Sequence, residues 1–145
     1  PLGRQLSTTI AMDGASRTAA YRYDVHGNRT RVTFPDSNYV TYSYDGMDRP
    51  LLIQRSGTAT IAAYTYDTTG RRSGFNNNAV PGSATIATSY GYDGISRLSS
   101  LTNSLTSSPT NSNSYGFTYN PASQIRTLSK SNTAFAFAGT ATFST

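Results

Sequence analysis

The sequence predicts an all-β fold, an antiparallel array of β-hairpins repeated along the chain. Three observations carry this. Composition is the first: of 145 residues, 36% are hydrophobic and 13% charged, glutamate is absent, and the one lysine is Lys130. Glutamate and lysine usually fill solvated helix faces, whereas the abundant Thr, Tyr and Ser favour strands and turns. The second is that 11 tyrosines and 6 phenylalanines fall in alternating register, which argues against disorder. The third is a recurring phrase. It reads Tyr21-Arg-Tyr23-Asp24-Val-His-Gly27-Asn-Arg29, then Tyr42-Ser-Tyr44-Asp45-Gly-Met-Asp48-Arg49. It returns as Tyr64-Thr-Tyr66-Asp67-Thr-Thr-Gly70-Arg71 and as Tyr90-Gly-Tyr92-Asp93-Gly-Ile-Ser96-Arg97. A worn copy, Phe117-Thr-Tyr119-Asn120-Pro-Ala-Ser123-Gln124, follows.

The elements read in order as follows. Pro1-Leu-Gly3-Arg4 matches the back half of the phrase, so the chain is expected to begin inside a repeat, as an excerpt of a longer array. A partial repeat then covers residues 1–20, with further repeats near 21–41, 42–63, 64–89, 90–116 and 117–132 and a final strand over 133–145. Within a repeat, residues 39–44 alternate, which puts Val40, Tyr42 and Tyr44 on one face of a strand. Asp45 opens a tight turn, because an aspartate at the first position accepts bonds from the amides just ahead. The fourth position needs a residue that tolerates positive φ. Gly3, Gly27 and Gly70 meet that need, Asp48 less well, and Ser96 and Ser123 least, so Ser96→Gly is expected to stabilise its turn. The chain reverses into Arg49-Pro-Leu51-Leu-Ile53, a second strand, and a looser connection such as Pro35-Asp36-Ser37-Asn38 leads onward. Two strands per repeat give an antiparallel meander of about ten strands. Repeat length varies in the looser connection, with expansions at 75–82 and 103–114. The last segment, residues 133–143, alternates Phe135, Phe137 and Phe143 with small residues, and is expected to pair with the hairpin near 125–129 or with another copy.

Tyr-x-Tyr-Asp-x-x-Gly-Arg at intervals of roughly 20–27 residues resembles the YD repeat of the rearrangement-hotspot (Rhs) family, whose relatives include toxin-complex B and C shell components and the teneurins. The resemblance runs from Pro1 to about Lys130. It implies a strip of hairpins that spirals into a hollow β-shell, often around a C-terminal toxin. It therefore implies a structural, non-enzymatic segment of a secreted or cell-surface bacterial protein. The partners implied are neighbouring YD repeats of the parent chain or other copies of this one, and a toxin cargo. The alternative is a subunit of an extracellular fibre or adhesin joined edge to edge, with carbohydrate as a further partner. The residues expected to carry the repeat are Tyr21, Tyr23, Asp24, Gly27, Tyr42, Tyr44, Asp45, Arg49, Tyr64, Tyr66, Asp67, Gly70, Arg71, Tyr90, Tyr92, Asp93, Arg97, Tyr119 and Asn120. A tyrosine suits a single-layer wall because its ring buries apolar area while its hydroxyl finds a polar partner.

Catalysis, metal and cofactor are not expected. Equivalent aspartates in successive hairpins lie two strands apart, about 9–10 Å, too far for a retaining glycosidase pair and at the limit for an inverting one. A residue repeated in every unit usually serves the unit. Arg4, Arg49, Arg71 and Arg97 recur at the turn exit, with Asn28 and Gln124 in the equivalent places. They would make a basic ladder at net charge +5, yet nucleic-acid binders concentrate charge more densely. The preferred reading stacks each on a tyrosine or pairs it with a turn aspartate in the adjacent repeat. His26 is the sole histidine and is expected to be exposed and inert at a turn tip. With no cysteine there is no disulfide and no thiol nucleophile. No apolar run is long enough for a membrane-spanning helix. Asn28-Arg-Thr30 satisfies the N-glycosylation triplet, and the Ser/Thr-rich stretch 102–114 reads as an undecorated loop.

Overall fold

The computed structural model describes residues 3–77, 86–106, 108–132 and 139–143. Period-two alternation broken by turn residues gives strands, in chain order and without crossover. They are β1 (Ser7–Met12), β2 (Ala15–Tyr23), β3 (Arg29–Thr33), β4 (Tyr39–Tyr44), β5 (Pro50–Arg55), β6 (Ala59–Tyr66), β7 (Arg72–Asn77), β8 (Ile86–Tyr92), β9 (Leu98–Leu105), β10 (Asn113–Tyr119), β11 (Ile125–Lys130) and β12 (Gly139–Thr142). The fold is thus an all-β antiparallel hairpin array, with twelve strands among the described residues where about ten were expected. The chain divides into two compact units, Pro1–Ala63 and Tyr64–Thr145, and β6 contributes residues to both.

In the first unit, β1 through the start of β6 pair in succession. Cross-strand partners share a face, so Tyr21, Val32 and Val40 form one row and Tyr42, Ile53 and Ala62 another. Val32 and Ala62, at 7% and 5% exposure, sit within these rows. In the second unit the corresponding rows are Phe75, Thr88, Asn103 and Asn113, and Tyr90, Leu101, Tyr115 and Lys130. Its other face is small and hydroxylic: Gly74, Ser89, Thr102 and Ser114 form one row, and Gly91, Ser100, Gly116 and Ser129 a second. Only Val32, Ala62 and Thr88 are buried among the described residues, so no layered core exists there. Cohesion rests on cross-strand pairs, each contributing about 0.2–1 kcal/mol. Tyr64 against Phe75, centroids 5.2 Å apart, and the Thr9–Thr18 hydroxyl bond of 2.8 Å are examples.

Four strands that end in the second tyrosine, β2, β4, β8 and β10, carry a feature the sequence did not announce. Pairing shifts by one residue between Arg22 and Tyr23, Ser43 and Tyr44, Gly91 and Tyr92, and Thr118 and Tyr119. The extra residue lies on the exit strand: Thr30, Leu51, Ser99 and Arg126 have no direct opposite. Such bulges bend the strand and increase local twist, and here one follows each of the tight turns at Asp24, Asp45, Asp93 and Asn120.

The looser connections differ from expectation. Residues 103–105 belong to β9 and 113–114 to β10, and of the described residues between them Pro109–Asn111 form a short 3-10 turn. Ladder bonds to β8 and between β9 and β10 hold these polar residues in strands despite their loop-like composition. In the other expansion Phe75–Asn77 close β7, and residues 78–82 lie outside the described part. At the carboxyl end, Thr140, Ala141 and Thr142 pair with Ser129, Leu128 and Thr127, as expected, and the Phe143 amide donates to the Arg126 carbonyl at 2.9 Å. Phe135, Phe137 and the rest of 133–138 lie outside the described residues.

Gly70 has φ 88°. A β-branched residue resists that conformation, so Gly70→Val should cost about 1–2 kcal/mol. Denaturant unfolding of the two chains checks this, and equal midpoints would contradict the turn geometry.

Candidate functional site: the turn edge

The tight turns share one construction. At Asp24, Asp45, Asp67, Asp93 and Asn120 the main-chain carbonyl accepts from the amide three residues on, at 2.9–3.2 Å, and the amide donates to the carbonyl four residues on. The fourth turn residue is left-handed in all five: φ is 101° at Gly27, 60° at Asp48, 88° at Gly70, 70° at Ser96 and 63° at Ser123. This is a turn followed by a single left-handed residue, the three-residue hairpin solution.

The first residue's side chain then locks the turn from inside. Oδ1 of Asp45, Asp67 and Asp93 accepts from the amide two residues on (Met47, Thr69, Ile95) and from the exit amide (Arg49, Arg71, Arg97), all at 2.9–3.1 Å. Oδ2 of the same carboxylates accepts from the exit arginine's Nε at 2.7 Å in each case. The arginines therefore pair with the aspartate of their own turn and not, as expected, with that of the adjacent repeat. The reason is geometric: the exit amide already touches Oδ1, which leaves its own side chain within reach of Oδ2. In the first copy Asn28 replaces arginine, and its Nδ2 donates to Asp24 at 3.1 Å. In the last copy Asn120 and Gln124 form a neutral version, Nδ2 donating to Oε1 at 2.8 Å.

The guanidinium, held at one end, reaches the next hairpin. Arg71 stacks over Tyr92 and Arg97 over Tyr119, both 4.4 Å from the ring centroid, and Arg4 lies 5.7 Å from that of Tyr23. The tyrosine hydroxyl donates to the carbonyl just past the preceding exit residue: Tyr23 to Gln5 at 3.1 Å, Tyr44 to Arg29 at 3.0 Å, Tyr92 to Arg72 at 2.8 Å and Tyr119 to Leu98 at 2.7 Å. The next turn's left-handed residue completes the link. Arg71 Nη1 donates to Ser96 Oγ at 2.8 Å and Arg97 Nη1 to Ser123 Oγ at 3.2 Å, while Asn28 Nδ2 donates to Asp48 Oδ1 at 2.6 Å. These side chains, read from the sequence only as poor occupants of a glycine position, are acceptors for the turn before. Ser96→Gly therefore relieves backbone strain but forfeits the Arg71 bond, which removes the expected net gain. At Gly27 a Cβ would meet the Arg4 guanidinium, the movable end of a flexible side chain, so there glycine is needed for its φ.

The first tyrosines serve the sheet face instead. Tyr21, Tyr42, Tyr64 and Tyr90 sit in β2, β4, β6 and β8, with Arg29 5.3 Å from the Tyr42 centroid and Arg72 5.0 Å from that of Tyr64. Tyr66 closes β6 in the position equivalent to Tyr44 and Tyr92. His26 is exposed, and its Nδ1 lies 2.9 Å from Asp48 Oδ1. The Asn28 amide of the glycosylation triplet is already shared between Asp24 and Asp48.

Charge follows this wiring. Desolvation works to raise the carboxyls of Asp24, Asp67 and Asp93, but turn hydrogen bonds outweigh it and hold all three low, with Asp67 at about 2. At Asp45 the Arg49 side-chain bond is the largest influence and lowers it. The bond and charge of Asp48 raise His26 above its ordinary value. Among the described residues no cluster of three or more His, Cys, Asp or Glu is placed to hold a metal, and no helix is long and apolar enough to cross a membrane.

Residues 23–60 match the RHS Repeat family, in agreement with the resemblance carried by the tyrosine–aspartate phrase. No curated protein matches the chain. Among solved structures, the pore of the Photorhabdus luminescens Tc holotoxin aligns at 15% identity and TM-score 0.63, over 81% of this chain and 5% of that one. A TcdB2-TccC3-Cdc42 structure aligns at 14% identity and TM-score 0.65, over 87% and 7%, and a TcdB2-TccC3-TEV structure at 18% and 0.61, over 82% and 8%. The chain thus spans a small part of these much longer chains, and at such identities the likeness shows the shared fold.

Two pH responses should follow. The folded carboxyls are depressed, so their contribution is complete above the ordinary value of 3.8 and is lost as pH falls through the folded values, about 2 for Asp67. In an acid titration followed by NMR, the Arg71 amide should shift with a midpoint near the Asp67 value, and the Gln124 amide, bonded to neutral Asn120, should stay flat. A Gln124 response matching that of Arg71 would contradict the assignment. His26 has the opposite sign: its raised folded value stabilises below the unfolded one, and that is lost as pH rises through the folded value. Asp48→Asn should return the His26 titration midpoint to an ordinary histidine's.

Proposed function

We propose that this chain, which carries an RHS repeat over residues 23–60, is a structural segment of a repeat-built wall and turns nothing over. One observation carries the reading: the repeated side chains that invite a catalytic assignment are engaged in holding turns and joining neighbours. Asp45, Asp67 and Asp93 each bond two amides and an arginine, Arg71 and Arg97 reach the next hairpin, and Tyr92 and Tyr119 bond back to the one before. We assign the structural role to the tyrosines, aspartates, glycines and arginines of the phrase, and the repeat boundaries to 21–41, 42–63, 64–89, 90–116 and 117–132. The likeness in fold to chains of Tc toxin structures supports a shell wall that encloses or presents a toxin in a secreted or surface protein of bacterial origin. The pairing of Thr140–Thr142 with β11 of the same chain takes away one motive for edge-to-edge fibres.

The test is electron microscopy of the full parent protein with protease challenge of its contents. Closed particles whose contents resist protease until the wall is opened are expected. Filaments, or contents cut as fast as free protein, would overturn the reading.

A further inference from the structure

We propose that the free side of β2 docks an extended peptide strand that carries a carboxylate. β2 runs from Ala15 to Tyr23, but β3 pairs with it only from Ala20 to Tyr23. Residues 15–18 therefore have a ladder partner on the β1 side alone. Which backbone groups are left open follows from the hairpin. Met12 faces Ala15 across Asp13 and Gly14, whose φ values of 53° and 72° mark a two-residue mirror-type turn. That turn makes Met12 and Ala15 a mutually bonded pair. By alternation Ile10 with Arg17 and Thr8 with Ala19 are bonded pairs too, so Ser16 and Thr18 aim their N–H and C=O groups away from β1.

Side chains beside this open row form a groove on the tyrosine face, lined by Ile10, Met12, Arg17, Ala19, Tyr21 and Pro35 among others. Ile10 and Met12 are 60% and 56% exposed there. Arg17 is the one charged residue of the lining, and it takes part in none of the ion pairs among the described residues. An open ladder edge beside an apolar groove is the arrangement that accepts an added strand, with main-chain bonds for affinity and alternate side chains for specificity. The lone arginine adds the charge preference: the incoming strand should alternate apolar residues and place an aspartate or glutamate against Arg17.

The probe is a fluorescein-labelled, capped hexapeptide alternating valine and threonine with one aspartate, read by anisotropy against the 145-residue chain. A second peptide has lysine for the aspartate. Saturable binding is expected, with the aspartate peptide preferred about tenfold, and R17E should reverse that preference. T18P should abolish binding of both peptides, because it removes a donor on the open side and leaves the pairing with β1 intact. Should T18P fail to fold, the R17E reversal decides alone. Absence of binding would make Arg17 a guard against edge pairing, and a preference unchanged by R17E would remove the carboxylate site. Self-association of the chain that T18P prevents would mark the edge as an interface between copies; each of these overturns the proposal.

Discussion

The bond between a turn's first carboxylate and its exit arginine fixes what the rest of the edge can do. One oxygen accepts two amides and thereby sets the turn; the other accepts Nε and thereby aims the guanidinium. Once aimed, Arg71 has a ring beneath it and a hydroxyl oxygen at its tip, both from the following hairpin. The ion pair is partly exposed, so its own net contribution is modest. Its weight lies in orientation: one fixed side chain serves the turn that made it and the turn that follows.

Such linkage matters because these units lack the usual source of cohesion. With three buried residues among those described, area-driven stabilisation is small and the sheet depends on bonds between neighbours. The tyrosine hydroxyls strengthen this dependence. Each spans to a main-chain carbonyl of the strand before, so a hairpin is held by its ladder and by an end strut. The bulges on the exit strands accompany the same geometry, since Tyr23, Tyr44, Tyr92 and Tyr119 are where pairing shifts.

Much of the fold was legible in the sequence. Alternation in segments such as Tyr39–Tyr44 and the Asp-x-x-Gly turns produced strands and reversals where expected, because both are local. The bulges were not legible, because an extra residue on the exit strand leaves no mark in a two-residue period. The extension of β9 through Leu105 was missed because Asn103 and Ser104 lack strand character and are held there by their partners on β8. At the turn edge the aspartates and arginines stand out by repetition, and stacking of the arginines on tyrosines is as expected, but the ion pairs lie within a turn and not between repeats. The roles of Asp48, Ser96 and Ser123 depend on a donor from the preceding hairpin, which local turn chemistry does not contain.

The measurement closest to the central claim is native-state hydrogen exchange on Arg71→Lys. Lysine keeps the charge but loses the planar fork that lets one side chain hold Asp67 and Ser96 together. Faster exchange is expected both in the mutated turn, at Gly70 and Arg71, and in the next one, at Ser96 and Arg97, with the turn at Ser123 less affected. Acceleration confined to the mutated turn would contradict the account, since the arginine would then serve its own hairpin and carry nothing to its neighbour.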